Sequence, residues 1–331
     1  MQIAPARPSS DLADQAARFS ADLGRLLPRP GRVLLAVSGG PDSMAMLTLA
    51  AAGGGDFAVA TIDHRLRAEA AAEAEMVARH CAAVGLPHAT LSPDAPPSGS
   101  SLQAQARAAR YRLLADHARG VGAVAVATAH HVEDQAETFL MRAARGSGVA
   151  GLAGVRPAVS IEGVSVVRPL LDWRRAELRA IVRRGEVPFV DDPANADPRH
   201  DRTRFRLLID ANEWLDAPAI ARAAGAVAEA DADLTGVAEW LWGQRARVAA
   251  ADISLDAADL PRAVARRLIA RAVGQVRADA GIESPAWSAS AAIEPLLDAL
   301  FAGSQATQAG VVASPRHGTW RFRPAPPRRS R

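Results

Sequence analysis

The chain has 331 residues, 49% hydrophobic and 23% charged, which fits two folded domains and excludes a fibrous or wholly disordered protein. All 39 residues counted as Lys+Arg are arginine, so a Walker-type phosphate lysine, a Schiff-base lysine and a nucleophilic side-chain amine are excluded. The single cysteine, Cys81, excludes a disulfide framework and a cysteine zinc site, and no run nears the roughly 18 apolar residues of a membrane span.

Residues 1–30 read as an N-terminal helix or extension with no signal-peptide core, which places the chain in the cytoplasm and away from membranes. Val33–Val37 reads as a buried strand, Ser43–Ala52 as a helix, Phe57–Ile62 as a strand and Ala68–Val84 as a helix. Pro87–Leu91 is a short strand, Ser101–Arg119 a helix, Ala123–Thr128 a strand and Val132–Ala144 a helix. Strands alternating with helices predict an α/β fold, a Rossmann-like parallel sheet covered on both faces, with its site beyond the carboxyl ends of the strands.

A helix over Trp173–Arg184 and an ordered loop over Asp191–Asp201 follow. Beyond Arg206 the pattern is mostly helical to about Ala302, with Trp214, Trp240, Trp242 and Trp287 as packing residues. The expected division is 31–206 for the catalytic domain, 207–310 for a second, mostly helical domain and 311–331 for a disordered Arg/Pro-rich tail. Net charge is only +3, but residues 262–277 hold five arginines and residues 311–331 hold six, both without an acid. A mildly acidic body with basic C-terminal segments suits a polyanionic partner, although an Arg-rich helix face and a solvated tail would look the same.

The residues after each strand carry the chemistry. Ser38-Gly39-Gly40-Pro41-Asp42-Ser43 leads directly into a helix. Two glycines let backbone amides approach a phosphate, the hydroxyls of Ser38 and Ser43 can donate to it, and the helix N-terminus adds a favourable dipole. Asp42 would repel bare phosphate, which points to a Mg²⁺ between the carboxylate and the phosphates. Asp63-His64-Arg65-Leu66-Arg67 follows the second strand, and reads either as a further part of the site or as a local cap with a salt bridge. Arg107, Arg110 and Tyr111, the only tyrosine, sit near one helix face. After the fourth strand, His130, Asp134 and Glu137 have spacings that a helix would gather on one edge, where two carboxylates could hold an amine and take its proton. Adjacent His130 and His131 raise zinc, but no cysteine accompanies them and helix neighbours diverge by about 100°. Arg142 and Arg145 before Gly146-Ser147-Gly148 read equally as a phosphate contact and as a helix end.

The Ser-Gly-Gly-x-Asp-Ser string resembles the signature of the PP-loop ATP pyrophosphatases. With the Asp-His-x-Leu-Arg string, His130-x-x-x-Asp134-x-x-Glu137-Thr138, the Arg145-Gly-Ser-Gly turn and the tail Asp192-x-x-Asn195…Arg202…Arg206, residues 31–206 resemble the tRNA(Ile)-lysidine synthetases. That resemblance implies adenylation of the C2 oxygen of the wobble cytidine in a CAU-anticodon isoleucine tRNA, then displacement of AMP by the amine of free L-lysine. It implies ATP and Mg²⁺ at Ser38, Gly39, Gly40, Pro41, Asp42 and Ser43, and Asp134 as the base on the lysine amine, with Glu137 helping to hold it. His130 and Arg107 would stabilise the adenylated intermediate, and Arg202, Arg206, Arg262 and Arg266 would meet tRNA. Thr203 stands where the family often has Asn. An NAD- or GMP-synthetase-like enzyme and a non-enzymatic ATP-binding regulatory module are the alternatives, and a homodimer is left open.

Overall fold

The computed structural model describes residues 10–65, 69–95, 102–191, 199, 201–287 and 293–326. The chain divides into two compact units, Met1–Ala228 and Glu229–Arg331. The first holds α1 (Ser10–Leu26), β1 (Val33–Ala36), α2 (Pro41–Gly53), β2 (Phe57–Ile62), α3 (Glu69–Ala83), β3 (His88–Leu91), α4 (Leu102–Gly120) and β4 (Ala125–Ala127). It continues through α5 (Val132–Ala143), the one-turn α6 (Val149–Leu152), β5 (Ala158–Ile161), β6 (Val164–Val167), α7 (Arg175–Arg184) and α8 (Asp201–Asp210). The long helix α9 (Ala217–Arg245) then crosses the boundary between the units.

The six-stranded sheet runs β3-β2-β1-β4-β6-β5, parallel throughout except for β5, which pairs antiparallel with β6. β1 is apolar along its whole length because both of its faces are covered. Val33 and Leu35 pack with Met44 and Leu47 of α2, while Leu34 packs with Tyr111 and Leu114 of α4. From β1 the chain builds outward to β2 and β3, then returns to lay β4 on the other side of β1. The strand order therefore reverses between β1 and β4, and a crevice opens beyond their carboxyl ends.

The β5–β6 hairpin is not among the elements expected from the sequence pattern. Its two-residue turn, Glu162-Gly163, has φ of 52° and 73°, the left-handed pair that matches strand twist and that glycine favours.

The second unit contains β7 (Ala246–Ala249), β8 (Asp252–Asp256), α10 (Arg262–Asp279), α11 (Glu294–Phe301), β9 (Ala306–Gln308), β10 (Val311–Arg316) and β11 (Thr319–Pro324). Its strands form an antiparallel sheet in the order β7-β8-β11-β10-β9. Ile253, Leu255, Val311, Ala313, Trp320 and Phe322 point to one face and bury against Leu268, Ile269 and Val273 of α10 and Leu297 and Leu300 of α11.

This arrangement corrects several expectations. The region after Arg206 is helical only in part, since a five-stranded sheet is built into it. Residues 311–324 form two strands of that sheet and the turn between them and not a tail, because Val311, Ala313, Trp320 and Phe322 are buried at the two-residue period of a strand while their neighbours are not. Trp214 and Trp240 are 87% and 65% exposed, so of the four tryptophans proposed as packing residues only Trp242 and Trp287 join a core. The unit boundary falls inside α9 and not at Arg206. Residues 1–9, Leu66-Arg67, Asp192–Asn195 and 327–331 lie outside the described residues.

Phe322→Ala should destabilise the chain by about 3–5 kcal/mol, the usual cost of emptying a buried aromatic site, while Arg323→Ala should change it by about 0.5 kcal/mol or less. Denaturant titration of the two variants measures this; equal, negligible effects would return residues 311–324 to a tail.

Candidate active site

The turn after β1 is held by its own hydroxyls. Ser38 N–H donates to Ser43 Oγ (3.1 Å), Ser43 Oγ donates to the Gly40 carbonyl (2.9 Å), and the two serine hydroxyls lie 3.3 Å apart. Gly39 has φ +86°, a left-handed conformation that a side chain would strain. Its carbonyl accepts from Val190 N–H (2.9 Å), which seats the chain after α7 against the turn. Gly40 caps α2 without a side-chain bond and Pro41 opens the helix, so the first-turn amides of Asp42 and Ser43 are left for an anion.

After β4 the backbone stays extended through His131, the N-cap of α5, whose N–H donates to Asp134 Oδ2 (3.0 Å). His130 is therefore not on the helix, and the expected i to i+4 alignment with Asp134 does not form. The residue that organises this end is its neighbour. His131 is 2% exposed, and three carboxylates surround its ring. Nδ1 lies 2.9 Å from Glu133 Oε2, and Nε2 lies 3.5 Å from Asp42 Oδ2 and 3.6 Å from Asp134 Oδ2. Burial alone would lower its pKa, but Asp134, Asp42 and Glu133 outweigh it and push the imidazole up to about 10. The cation joins the loop after β1 to the helix after β4. His130 goes the other way: burial, with help from Arg168, Arg202 and Arg110, overcomes the attraction of Asp134 and lowers it to about 3. It is a neutral ring near pH 7, with Nδ1 3.0 Å from Thr128 Oγ1, and so brings no positive charge to an intermediate.

Burial raises the Asp134 carboxyl, yet His131 and Arg202 hold it below the ordinary aspartate range. Arg202 donates to Asp134 Oδ1 (2.8 Å) and to Glu137 Oε2 (2.7 Å), and Arg206 donates to Glu137 Oε1 (2.8 Å). Both oxygens of Glu137, 1% exposed, are thus occupied by arginines of α8. The difference from Asp134, whose two oxygens also accept hydrogen bonds, is burial: the Asp134 side chain keeps 13% exposure and that of Glu137 only 1%. The Nε groups of Arg202 and Arg206 fasten α8 to α5.

Across the crevice the charge is reversed. Arg107 and Arg110 lie over the Tyr111 ring at 5.0 and 5.4 Å. Arg168 is 4% exposed, donates to the Arg156 carbonyl (2.6 Å), and keeps a buried Nε without a hydrogen-bond partner. Burial lowers the pKa values of Arg110 and Arg168, with a smaller contribution from Arg107 and against the pull of Tyr111. Asp63 Oδ1 accepts from Arg65 N–H (2.8 Å) as a local cap, and the pKa of buried His64 is lowered by desolvation and Arg110. Arg142 donates to the carbonyls of Gly151 (2.7 Å) and Gly154 (2.9 Å), and Arg145, beyond the end of α5, pairs with Asp201. Arg142 therefore holds the turn at the helix end, while Arg145 ties it to the start of α8.

In the second unit, Arg262 bonds Glu294 (2.8 Å) and Asp298, Arg266 bonds Glu294, Arg267 bonds Asp231, and Arg271 lies 4.6 Å over Trp242. Arg262 and Arg266, expected to meet tRNA, are thus engaged by carboxylates distant in sequence, Glu294 and Asp298.

A Mg²⁺ ion fits only in part. Asp42 Oδ1 is buried without a hydrogen-bond partner and is a suitable hard oxygen ligand, but among the described residues no group of three His, Cys, Asp or Glu could hold a metal. The remaining ligands would have to be phosphate oxygens and water.

Residues 9–212 match the PP-loop domain family. The chain is 46% identical over 325 residues to the tRNA(Ile)-lysidine synthase of Novosphingobium aromaticivorans, covering 96% of each chain. It is 39% identical over 306 residues to the tRNA(Ile)-lysidine synthase of Zymomonas mobilis, covering 91% of each. In structure it is similar to the U34-tRNA thiolase NcsA from Methanococcus maripaludis, with a TM-score of 0.54 at 16% identity over 65% of this chain and 78% of that one, which is a likeness of fold.

The proton on His131 contributes stability in full below its unfolded pKa of about 6.5, and that contribution is lost as pH rises through its folded value of about 10. Wild-type minus His131→Gln stability, followed by denaturant titration, should therefore be flat below about pH 6.5 and shrink toward pH 10. A difference that does not change with pH over that range would show that His131 is neutral in the fold.

Proposed function

This chain belongs to the tRNA(Ile)-lysidine synthase family, and on that footing we propose that it is an ATP-using ligase joining lysine to C2 of the wobble cytidine in a CAU-anticodon isoleucine tRNA. The product is lysidine, with AMP and pyrophosphate released and codon reading changed from AUG to AUA. The observation that carries the reading is the meeting of the Ser38–Ser43 turn with His131 and Asp134 where the strand order reverses.

The roles follow from that geometry. The first-turn amides of α2, the Gly39-Gly40 backbone and the hydroxyls of Ser38 and Ser43 cradle the β- and γ-phosphates of ATP, which depart together as pyrophosphate. Asp42 would hold a Mg²⁺ shared with those phosphates, and the ion would neutralise charge on the leaving group. Arg107, Arg110 and Arg168 lie near one another around Tyr111 and supply positive charge for the substrate RNA and the AMP phosphate.

Attack by the cytidine O2 on the α-phosphorus forms one P–O bond and breaks another. The lysine amine then forms the C2–N bond as the C2–O bond breaks, and the oxygen leaves with AMP. Asp134 draws in and orients the lysine ammonium, which loses one proton to free the lone pair that attacks C2; the depressed pKa of Asp134 makes it a weak base that passes this proton on to water. His130, neutral and hydrogen-bonded to Thr128, can offer one ring nitrogen to the reacting base without adding charge.

Incubation with Mg-ATP, labelled lysine and an unmodified CAU-anticodon tRNA should give tRNA-linked label that depends on all three. Asp134→Asn should lower that transfer about 10²–10⁴-fold with ATP binding retained. Label fixed without tRNA, or none from an active preparation, would sink the reading, and undiminished transfer would remove Asp134 from it.

A further inference from the structure

The arginines of the second unit fall into two sets. On α10, Arg262, Arg266 and Arg267 are bound by carboxylates, Arg271 lies on Trp242, and Arg277 is spent on the carbonyls of Ala309, Glu283 and Pro285. Arg245 donates to the Ala258 carbonyl, and Arg321 grips Asp252 with two nitrogens. Among the described residues of this unit that leaves Arg247, Arg316 and Arg323, all exposed and outside the hydrogen bonds just named, with Arg323 close enough to Asp252 to help lower its pKa.

The register puts all three on one face of the sheet. Arg247 of β7 stands opposite Ser254 of β8, Ser254 opposite Arg321 of β11, and Arg321 opposite Ser314 of β10. Residues two apart share a face, so Arg323 joins Arg321, and Arg316, opposite Thr319, joins Ser314. The other face carries Ile253, Leu255, Trp320 and Phe322 and is closed by α10 and α11. At about 4.8 Å between strands and about 3.4 Å per residue, these three guanidiniums lie within roughly 15–20 Å of one another. Ser254, Ser314 and Thr319 lie between them and add hydroxyl donors. Asp252 is engaged by Arg321, and Asp256 accepts from the Ala258 N–H.

We propose that this open sheet face, through Arg247, Arg316 and Arg323 with the hydroxyls between them, is where the second unit holds the phosphate backbone of its RNA substrate. The occupant follows from the charge: a polar face with four arginines (Arg247, Arg316, Arg321 and Arg323) against two aspartates (Asp252 and Asp256) suits a polyanion, and hydroxyls and guanidiniums with no exposed aromatic among the described residues of that face suit phosphate over stacked bases. The sequence adds Arg328, Arg329 and Arg331 just past the end of β11. The identity of that polyanion as RNA rests on the reading of function above.

The test is tRNA binding by the full chain, measured by fluorescence anisotropy across a series of salt concentrations. Replacing Arg247, Arg316 and Arg323 together by Gln should weaken binding and reduce the slope of log K against log salt by about two to three, at about 0.7–0.9 for each phosphate no longer neutralised. The triple Arg→Lys variant should keep the slope, because it keeps the charge. Arg262→Gln with Arg266→Gln should leave the slope unchanged. An unaltered slope in the Gln triple, a reduced slope in the Lys triple, or a slope reduced only in the α10 pair would each overturn the proposal while leaving the ligase reading intact. Failure of the unsubstituted chain to bind tRNA would overturn both.

Discussion

One buried cation decides how the catalytic unit is put together. His131 lies among the carboxylates of Asp42, Glu133 and Asp134, and those residues belong to two strand-to-helix junctions far apart in sequence. Burial would raise the carboxyls of Glu133 and Asp134, and the imidazolium helps to hold both below their ordinary ranges. It also fixes the phosphate-binding turn after β1 in register with the first turn of α5. Asp134 answers by accepting from the His131 N–H, so the same pair of residues closes the helix end and sets the charge balance of the site. Glu137, one turn further along α5, repeats the device with Arg202 and Arg206 and draws α8 onto the site.

Arginine serves two opposed ends in this lysine-free chain. Where its partners are carboxylates or carbonyls it is a fastener, as in Arg202, Arg206, Arg142 and Arg262. Where carboxylates are fewer, as around Arg110 in the fold and Arg323 on the sheet face, the charge remains for a phosphate. Planar, permanently charged guanidinium suits both uses, because it can bond in several directions at once and does not titrate away when buried. A phosphate cradle made of glycine amides, serine hydroxyls and a helix end has no need of lysine, and the composition and the site agree on this point.

Much of the catalytic unit is legible in the sequence because local and global signals coincide there. β1 is an uninterrupted apolar run, β2 is broken only by Thr61, α2 begins at a Gly-Gly-Pro break, and the residues that follow each strand carry the motif. The second unit is harder to read because its strands are short and rich in arginine and alanine, so composition hides the alternation of Val311, Ala313, Trp320 and Phe322. The turn signal is there: Glu162-Gly163, Ala309-Gly310 and His317-Gly318 are each two-residue, left-handed hairpin loops ending in glycine. His131 escapes a spacing argument for a different reason. Helical spacing from His130 assumes that the helix has already begun, whereas it starts one residue after His131, and only the N-cap position turns that ring toward Asp42. The pairing of Arg262 and Arg266 with Glu294 and Asp298 joins residues about thirty apart, which no spacing rule within one helix reveals.

The central claim is that the crevice between β1 and β4 passes AMP from ATP to the oxygen of a cytosine and then exchanges that oxygen for an amine. The most direct measurement follows the oxygen itself: tRNA carrying ¹⁸O at the C2 carbonyl of the wobble cytidine is turned over with lysine and Mg-ATP, and the released AMP is weighed by mass spectrometry. The account predicts AMP bearing one ¹⁸O and unlabelled pyrophosphate. Unlabelled AMP, or ADP as the nucleotide product, would contradict it.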